Sequence, residues 1–479
     1  MIFNSLVFLI YFILFFFLYW FVFNKGVKYQ NLFLLFGSYF FYAWADWRFL
    51  SFLIGVSTIN FLLGIYIEKE TRYKRLFLYI GLIQGIGGLA FFKYFNFFIT
   101  SFNDLFQSLN VNLHLQILNI AIPLGISFFT FRTIGYILDV EKGKIKATKD
   151  WLVFFNYVSF FPSLLSGPID KAKLFVPQLE RKREFDYNQA TDGVRQIVWG
   201  LFKKVVIADN CAIITTQTFD NYQILPGSNL LFAAFLFTIQ IYADFSGYSD
   251  MAIGFSRLIG FNITKNFDFP FFSQNIAEFW RKWHISLTSW MTEYVFIPLN
   301  IAFRDYNNFG LILAVLINFI VIGIWHGANW TYLLFGILHG CYFIPLILRG
   351  KMHKQEKTAK SGLIEFINMF GTFTLVMLTF ILFRSDNLDQ AYHYYFRLCS
   401  FSIFSLPALP TGRLNGLITL FFIVVMFIAE WFQREKNHAL QTDREDNNQV
   451  LYAVLYYTII LAIILFGSTV EDQFIYFKF

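Results

Sequence analysis

The chain has 479 residues, of which 57% are hydrophobic, 22% aromatic and only 14% charged, and its formal net charge is +7 at pH 7. A soluble domain carries about 25% charged residues, so this composition predicts an integral membrane protein and excludes an ordinary soluble one. The basic residues fall in short loops between apolar runs, which indicates juxtamembrane positions and not a surface for nucleic acid. The three cysteines form no CxxC pair and predict neither a metal site nor a disulfide framework.

Apolar runs follow one another from the N-terminus and predict the membrane spans. The first is too long for a signal-peptide core and has no cleavage signal after it, so we expect a retained span. The strong runs are residues 6–23, 31–43, 49–66, 76–92, 117–137, 311–324, 332–348, 366–383, 417–431 and 451–466, and the weaker ones are 151–165, 193–214, 230–242 and 251–263. At about 20 residues per span, these runs predict on the order of 10 to 12 crossings, with some central helices short, tilted or re-entrant.

The length and continuity of the runs exclude a spanning sheet, so the predicted fold is an all-α helical bundle. We expect one polytopic domain over residues 1–479, with a tail at 471–479. The positive-inside rule predicts that the basic loops lie in the cytoplasm. The loops at residues 69–75 and 434–444 are the reference points from which the spans toward each terminus are counted. Counting spans outward from these loops places both termini on the extracytoplasmic side.

One histidine interrupts two of the strongest runs. Residues 325–330 read Trp-His-Gly-Ala-Asn-Trp and separate the run 311–324 from the run 332–348, which places His326 at or near membrane depth. An imidazole can take and give a proton near neutral pH, and ionisable groups inside membrane segments are costly, which favours a function. A neutral imidazole held between two helices explains the same position equally well.

A second histidine upstream shifts the balance toward function. Residues 278–290 are predicted to form one continuous helix, because the aromatic and apolar positions recur at the spacing of one helix face. His284 shares that face with Trp280 and Trp283, whereas Arg281 points away from it.

Polar side chains also interrupt the apolar field at residues 242–250, which include Tyr242 and Asp244. Such a group either lines a polar cavity or forms an ordinary hydrogen-bond cluster between helices. Arg132 is expected to snorkel or to pair with a carboxylate such as Asp139 or Asp244.

Other motifs are weaker or missing. Pro162, Gly167 and Pro168 break the helix, and broken backbone at membrane depth is tolerated where it lines a cavity. His339 has no polar companion nearby in the sequence and is predicted to be structural. The sequence contains no HExxH, P-loop or GxSxG, so zinc-protease, nucleotide and hydrolase-fold chemistry have no support.

Five ordered motifs resemble the membrane-bound O-acyltransferase family, and more narrowly its bacterial branch that O-acetylates alginate and peptidoglycan. They are IPLGISFFTF at 122–131, SFFPSLLSGPI at 159–169, DFSGYSDMAIG at 244–254, FWRKWHISL at 279–287 and IWHGANW at 324–330. In that family the histidine of the Trp-His-Gly motif is catalytic, which implies that His326 is the general base. An upstream histidine lines the catalytic tunnel, which implies that role for His284. The implied positioning residues are Trp283, Asn329, Trp325, Asp244, Tyr242 and Arg281.

The resemblance implies acyl transfer across the cytoplasmic membrane of a bacterium. Acetyl-CoA or another acyl thioester enters from the cytoplasm, no metal is required, and the acceptor is an extracytoplasmic polysaccharide reached through a separate SGNH-type serine acetyltransferase. Two alternatives stay open. One is D-alanyl transfer to teichoic acid, and the other is transport of a lipid-linked sugar, although no internal repeat supports a transporter.

The C-terminal tail reads Phe-Ile-Tyr-Phe-Lys-Phe over residues 474–479. Aromatic residues at such an end often belong to an interfacial belt. The same tail resembles a terminal pattern common in this branch, which implies that Tyr476 relays the acyl group as an aryl ester.

Overall fold

The computed structural model describes residues 1–69, 72–111, 115–352, 362–407, 412–442, 449–468 and 474–475. These residues form helices, turns and loops without a β-strand, which confirms the predicted all-α class. The α-helices are α1 (Leu6–Phe17), α2 (Val27–Asp46), α3 (Arg48–Lys69), α4 (Lys74–Leu89), α5 (Phe95–Ser108), α6 (Ile126–Glu141), α7 (Trp151–Ser159), α8 (Phe161–Leu164), α9 (Ala172–Leu179), α10 (Tyr187–Phe202), α11 (Asp209–Asp220), α12 (Gly227–Leu258), α13 (Ile276–Lys282), α14 (Ile285–Met291), α15 (Ile297–Ala302), α16 (Asn307–His326), α17 (Trp330–Leu348), α18 (Gly362–Arg384), α19 (Leu388–Leu398), α20 (Arg413–Phe432) and α21 (Gln449–Phe466).

Seven helical segments in the described part of the chain are long and apolar enough to cross a membrane. They are Arg48–Lys69, Lys74–Ser108, Gly227–Leu258, Arg304–His326, Trp330–Leu348, Gly362–Arg384 and Leu414–Phe432, and two shorter apolar helices are Leu6–Val22 and Ala453–Phe466. This number is lower than the 10 to 12 crossings estimated from the runs. The run 117–137 shows one reason: α6 begins only at Ile126, after Pro123 and Gly125. Proline lacks the N–H of a helix interior and restricts the residue before it, so the run is not one span.

The chain forms two compact units, one of Met1–Gly193 with Phe255–Thr264 and the other of Val194–Gly254 with Lys265–Phe479. In the first unit, Arg132 on α6 is buried and does not snorkel. Its guanidinium donates hydrogen bonds to the carbonyl oxygens of Tyr157 at 3.3 Å, Ser163 at 3.1 Å and Pro168 at 3.2 Å. The backbone that is broken around the predicted Pro-Gly-Pro segment is therefore held by an arginine from a neighbouring helix.

In the second unit, α16 and α17 pack with their backbones in contact. A Cβ added at Gly323 would lie 2.3 Å from the carbonyl oxygen of Tyr332, and one added at Gly336 would lie 2.3 Å from that of Phe319. Only glycine permits such an approach. The two helices therefore form a tight hairpin whose turn carries the Trp-His-Gly motif.

The predicted continuous helix over residues 278–290 is wrong. α13 ends at Lys282 and α14 begins at Ile285, with Trp283 extended and His284 in the left-handed region at φ 46° and ψ 53°. This conformation costs a non-glycine residue about 1–2 kcal/mol. Asn266 offsets this cost, because its main-chain carbonyl oxygen accepts the N–H of Ile285 at 2.8 Å. Its side-chain oxygen also hydrogen-bonds to His284 and Ser286.

Candidate active site

His326 is the last residue of α16 and is 3% exposed. Its ring centroid lies 5.0 Å from that of Phe383, 5.8 Å from that of Phe335 and 4.9 Å from that of Trp325. The helix ends here because the extended Gly327 leads into Asn329, which caps α17 by accepting the N–H of Thr331 at 3.0 Å. The imidazole therefore sits at a helix end within a buried aromatic shell.

His284 is fully buried at the break between α13 and α14. Its Nδ1 lies 3.0 Å from Oδ1 of Asn266, and the same oxygen accepts the Ser286 N–H at 3.3 Å and its Oγ–H at 2.9 Å. A backbone N–H can only donate, so the atom it faces is the amide oxygen. The Nδ1 of His284 must then carry the proton, and the lone pair is on Nε2.

Burial away from water lowers the pKa of His284 to about 3. The imidazole is therefore neutral near pH 7, and its tautomer is set by Asn266. A neutral histidine whose Nδ1–H is anchored in this way presents Nε2 as a hydrogen-bond acceptor. This arrangement suits a group that orients a hydroxyl or takes its proton.

A single indole connects the two histidines. The ring centroid of Trp325 lies 5.6 Å from that of His284 and 4.9 Å from that of His326. Phe245 of α12 also packs on His284, with centroids 4.7 Å apart. The structure therefore brings together the two histidines that were predicted from separate motifs, although the helix predicted to carry His284 is broken.

The other predicted positioning residues have different surroundings. Trp283 stacks on Phe279 with ring centroids 5.3 Å apart, and Tyr242 donates its hydroxyl to both carboxylate oxygens of Glu430 at 2.9 Å. Asn329 donates from its amide nitrogen to the carbonyl oxygen of Asp386 at 2.6 Å, so one end of its side chain caps α17 and the other binds the segment between α18 and α19.

Two further candidates lie elsewhere. Arg281 is exposed and donates to the carbonyl oxygen of Met352 at 3.4 Å. Asp244 is buried, with Oδ1 2.7 Å from the ammonium of Lys204. Tyr476 lies outside the described residues.

His339 has the buried position expected of a structural residue. Its Nδ1 accepts a hydrogen bond from the indole N–H of Trp280 at 3.2 Å, so a neighbouring helix supplies a partner for this ring nitrogen. Within the part of the chain that the structure describes, no group of three His, Cys, Asp or Glu side chains is placed to hold a metal ion.

Sequence reasoning missed Asn266 and Lys204. Asn266 is fully buried yet stands in a loop whose sequence, Thr-Lys-Asn-Phe, looks solvent-exposed. Lys204 follows Lys203 inside the apolar run 193–214, and two adjacent lysines at that depth are the signal that would have found it.

Comparison with known proteins shows the family of this chain. Residues 145–384, which include both histidines, match the family model described as MBOAT, membrane-bound O-acyltransferase family. The chain is 36% identical over 453 residues to the protein named "probable alginate O-acetylase AlgI" of Pseudomonas aeruginosa, covering 92% of this chain and 84% of that protein. This chain belongs to the membrane-bound O-acyltransferase family.

Two further relatives differ in the share of this chain that they match. The peptidoglycan O-acetyltransferase of Helicobacter pylori is 32% identical over 429 residues, which is 82% of this chain and 78% of that protein. The teichoic acid D-alanyltransferase of Streptococcus thermophilus is 32% identical over 287 residues, which is 54% of this chain and 68% of that protein. Its family and the seven long apolar helices among its described residues identify this chain as a multi-pass membrane protein and an acyltransferase.

Proposed function

We propose that the chain transfers an acetyl group from a cytoplasmic thioester, such as acetyl-CoA, across a bacterial cytoplasmic membrane for O-acetylation of an extracytoplasmic cell-wall or exopolysaccharide polymer. Both termini would face outside, as the loop charges predict. An SGNH-type serine transferase would carry the group on to the polymer. The observation that carries the proposal is the pair of buried histidines that both pack against the ring of Trp325, in a chain of this family.

The relatives favour acetyl over D-alanyl transfer. The O-acetylase of Pseudomonas aeruginosa matches 92% of this chain, whereas the D-alanyltransferase of Streptococcus thermophilus matches 54%. Membership of an acyltransferase family also removes the support for a lipid-linked sugar transporter.

His326 would act as the general base. Its nitrogen takes the proton from the acceptor hydroxyl while the oxygen attacks the thioester carbonyl, the C–O bond forms, and the C–S bond then breaks. The same proton passes to the leaving thiolate, so the products are an ester and a free thiol. General-base catalysis of this kind contributes about 10²–10⁴-fold. His284, fixed by Asn266, would orient the hydroxyl or the acyl group through Nε2.

The first acceptor would be the phenol of Tyr476. A phenol of pKa about 10 is neutral at pH 7, so it needs a base to attack the thioester, and the aryl ester that forms can pass its acetyl to the partner's serine. Supporting this, the two residues before it are buried, and the N–H of Ile475 donates to Oδ2 of Asp244 at 2.6 Å. Asp244 precedes Phe245, which packs on His284.

His326→Ala tests this function in proteoliposomes that hold the full chain and labelled acetyl-CoA. We expect release of free thiol to fall about 10²-fold or more, with normal expression and membrane insertion. His339→Ala is the matched control, because it removes an equally buried imidazole on the next helix and should retain most of the activity of the folded protein. Normal thiol release by His326→Ala would refute its role as base. Release from a D-alanyl thioester alone would favour the D-alanyl alternative.

A further inference from the structure

Two consecutive lysines are buried together in the second unit. Lys203 and Lys204 begin the π-helical segment Lys203–Ala208 and are 2% and 1% exposed. Segments of π-helix are frequent at functional sites. The ammonium of Lys203 lies 2.6 Å from a carboxylate oxygen of Asp250 and donates to Ser246 Oγ at 2.8 Å. Because charges buried away from water are costly unless paired, such a cluster requires a reason.

Lys204 has a separate set of partners. Its ammonium lies 2.8 Å from Oδ1 of Asp209 and 2.7 Å from Oδ1 of Asp244. Burial alone would lower the pKa of Lys204, but the carboxylates of Asp244 and Asp209 outweigh this effect and raise the pKa above its ordinary value. The lysine therefore keeps its proton near neutral pH and fixes the carboxylate of Asp244.

The other oxygen of that carboxylate binds the end of the chain. Asp244 Oδ2 accepts the backbone N–H of Ile475 at 2.6 Å. The ring of Phe474 lies over Lys204, with the ammonium 4.4 Å from the ring centroid, and packs edge-on against Tyr248 at 4.8 Å between centroids. A cation over an aromatic face is a favourable contact, and more so where water is excluded.

The same π-helical segment also binds the chain just before the tail. The N–H of Ser468, just after α21, donates to the carbonyl oxygen of Val205 at 2.9 Å. The chain is therefore attached next to Lys204 at residue 468 and again on Lys204 and Asp244 at residues 474–475.

We propose that Lys204, Asp209 and Asp244 form a docking site for the C-terminal tail, in which Asp244 binds the main chain at Ile475 and Lys204 binds the ring of Phe474. The site recognises an extended apolar segment by one main-chain N–H and one aromatic face. Lys204 and Asp209 are positioning residues that act through Asp244 and the tail. The docking itself is independent of the proposed function, and only its consequence for Tyr476 depends on that function.

The test places benzoylphenylalanine at position 474 of the full chain, so that ultraviolet light links a docked tail to the segment around Tyr248. Peptide mass spectrometry measures the yield without any acyl donor. Losing a hydrogen bond to a charged group should lower the ratio of docked to undocked tail by about ten-fold or more. We expect that loss in Ile475→Pro, which lacks the N–H but leaves every buried charge in place. We also expect a lower yield in Lys204→Met, which removes the cation over Phe474 and the ion-pair partner of Asp244.

Two matched controls accompany these variants. Lys203→Met removes an equally buried ammonium with other partners, and Ile475→Val keeps both the N–H and an apolar side chain, so both should cross-link like the parent protein. Equal yields in Ile475→Pro and Ile475→Val would overturn the docking site. If Lys203→Met lost the cross-link as fully as Lys204→Met, a specific role for Lys204 would be refuted.

Acyl transfer is measured separately on the same variants. A tail that cross-links normally but never carries an acetyl group would refute the relay by Tyr476 and leave the docking site intact. Full acetylation of the tail in Ile475→Pro would show instead that docking does not position Tyr476, and the positioning role would be withdrawn.

Discussion

Asn266→Leu should slow acyl transfer by releasing His284 from its fixed tautomer. Leucine has a similar size but no acceptor, so the Nδ1–H of His284 and both donors of Ser286 lose the oxygen that they share at 2.9–3.3 Å. Each buried donor left without a partner costs about 1–3 kcal/mol. The hydroxyl of Ser286 can rotate toward another acceptor, but the His284 Nδ1–H and the Ser286 main-chain N–H cannot. Leaving these two donors unpaired should lower the free energy of unfolding by about 2–6 kcal/mol.

The effect on rate is a separate quantity. The hydrogen bond from His284 to Asn266 holds the proton on Nδ1, and a bond of about 1.4 kcal/mol corresponds to about a ten-fold change in an equilibrium constant. Without it, His284 spends more time with the proton on Nε2, where it cannot accept from a hydroxyl. We therefore expect single-turnover acyl transfer by folded Asn266→Leu to fall about ten-fold.

The assay compares single-turnover thiol release with the unfolding temperature in detergent for a set of variants. Ser249→Ala is the control, because the Nδ2 of Asn266 donates to Ser249 Oγ at 3.3 Å and this change leaves the histidine side of the amide untouched. His284→Ala should itself reduce activity, and Asn266→Leu added to it should cost little further rate. If the double variant showed the full product of both rate effects, Asn266 would not act through His284.

Three further predictions concern Tyr476, Arg132 and Trp280. Tyr476→Phe keeps the ring and loses only the oxygen, so polymer acetylation should disappear. Intact-mass analysis should find an acetyl group on the wild-type C-terminal peptide. Full activity of the variant would mean that the tail is only a membrane anchor. Arg132→Leu leaves several buried carbonyl oxygens without a donor and should cost about 3 kcal/mol or more in thermal unfolding, whereas Arg48→Leu, with a mostly exposed side chain, should cost less than about 1 kcal/mol. Trp280→Phe removes the N–H donated to His339 and should lower stability by about 1 kcal/mol without slowing thiol release.

Several properties could be predicted from the sequence because they depend on local chemistry. Backbone groups in a bilayer must be satisfied within their own helix, so long apolar runs predict helices wherever they occur. The motif at residues 325–330 visibly interrupts two apolar runs, and the structure ends α16 at His326 within it. Motif order was sufficient to recognise the family, because it depends only on residue type and spacing.

The tertiary structure decided which polar groups meet. Helical periodicity could not show that His284 leaves the helix, because the hydrogen bonds that offset this strain come from Asn266 in a different segment. Likewise, Asp244 and Ile475 are 231 positions apart in the chain, and no local pattern joins them. A buried charge needs a partner, but the identity of that partner is set by how the helices pack and not by the neighbours in sequence.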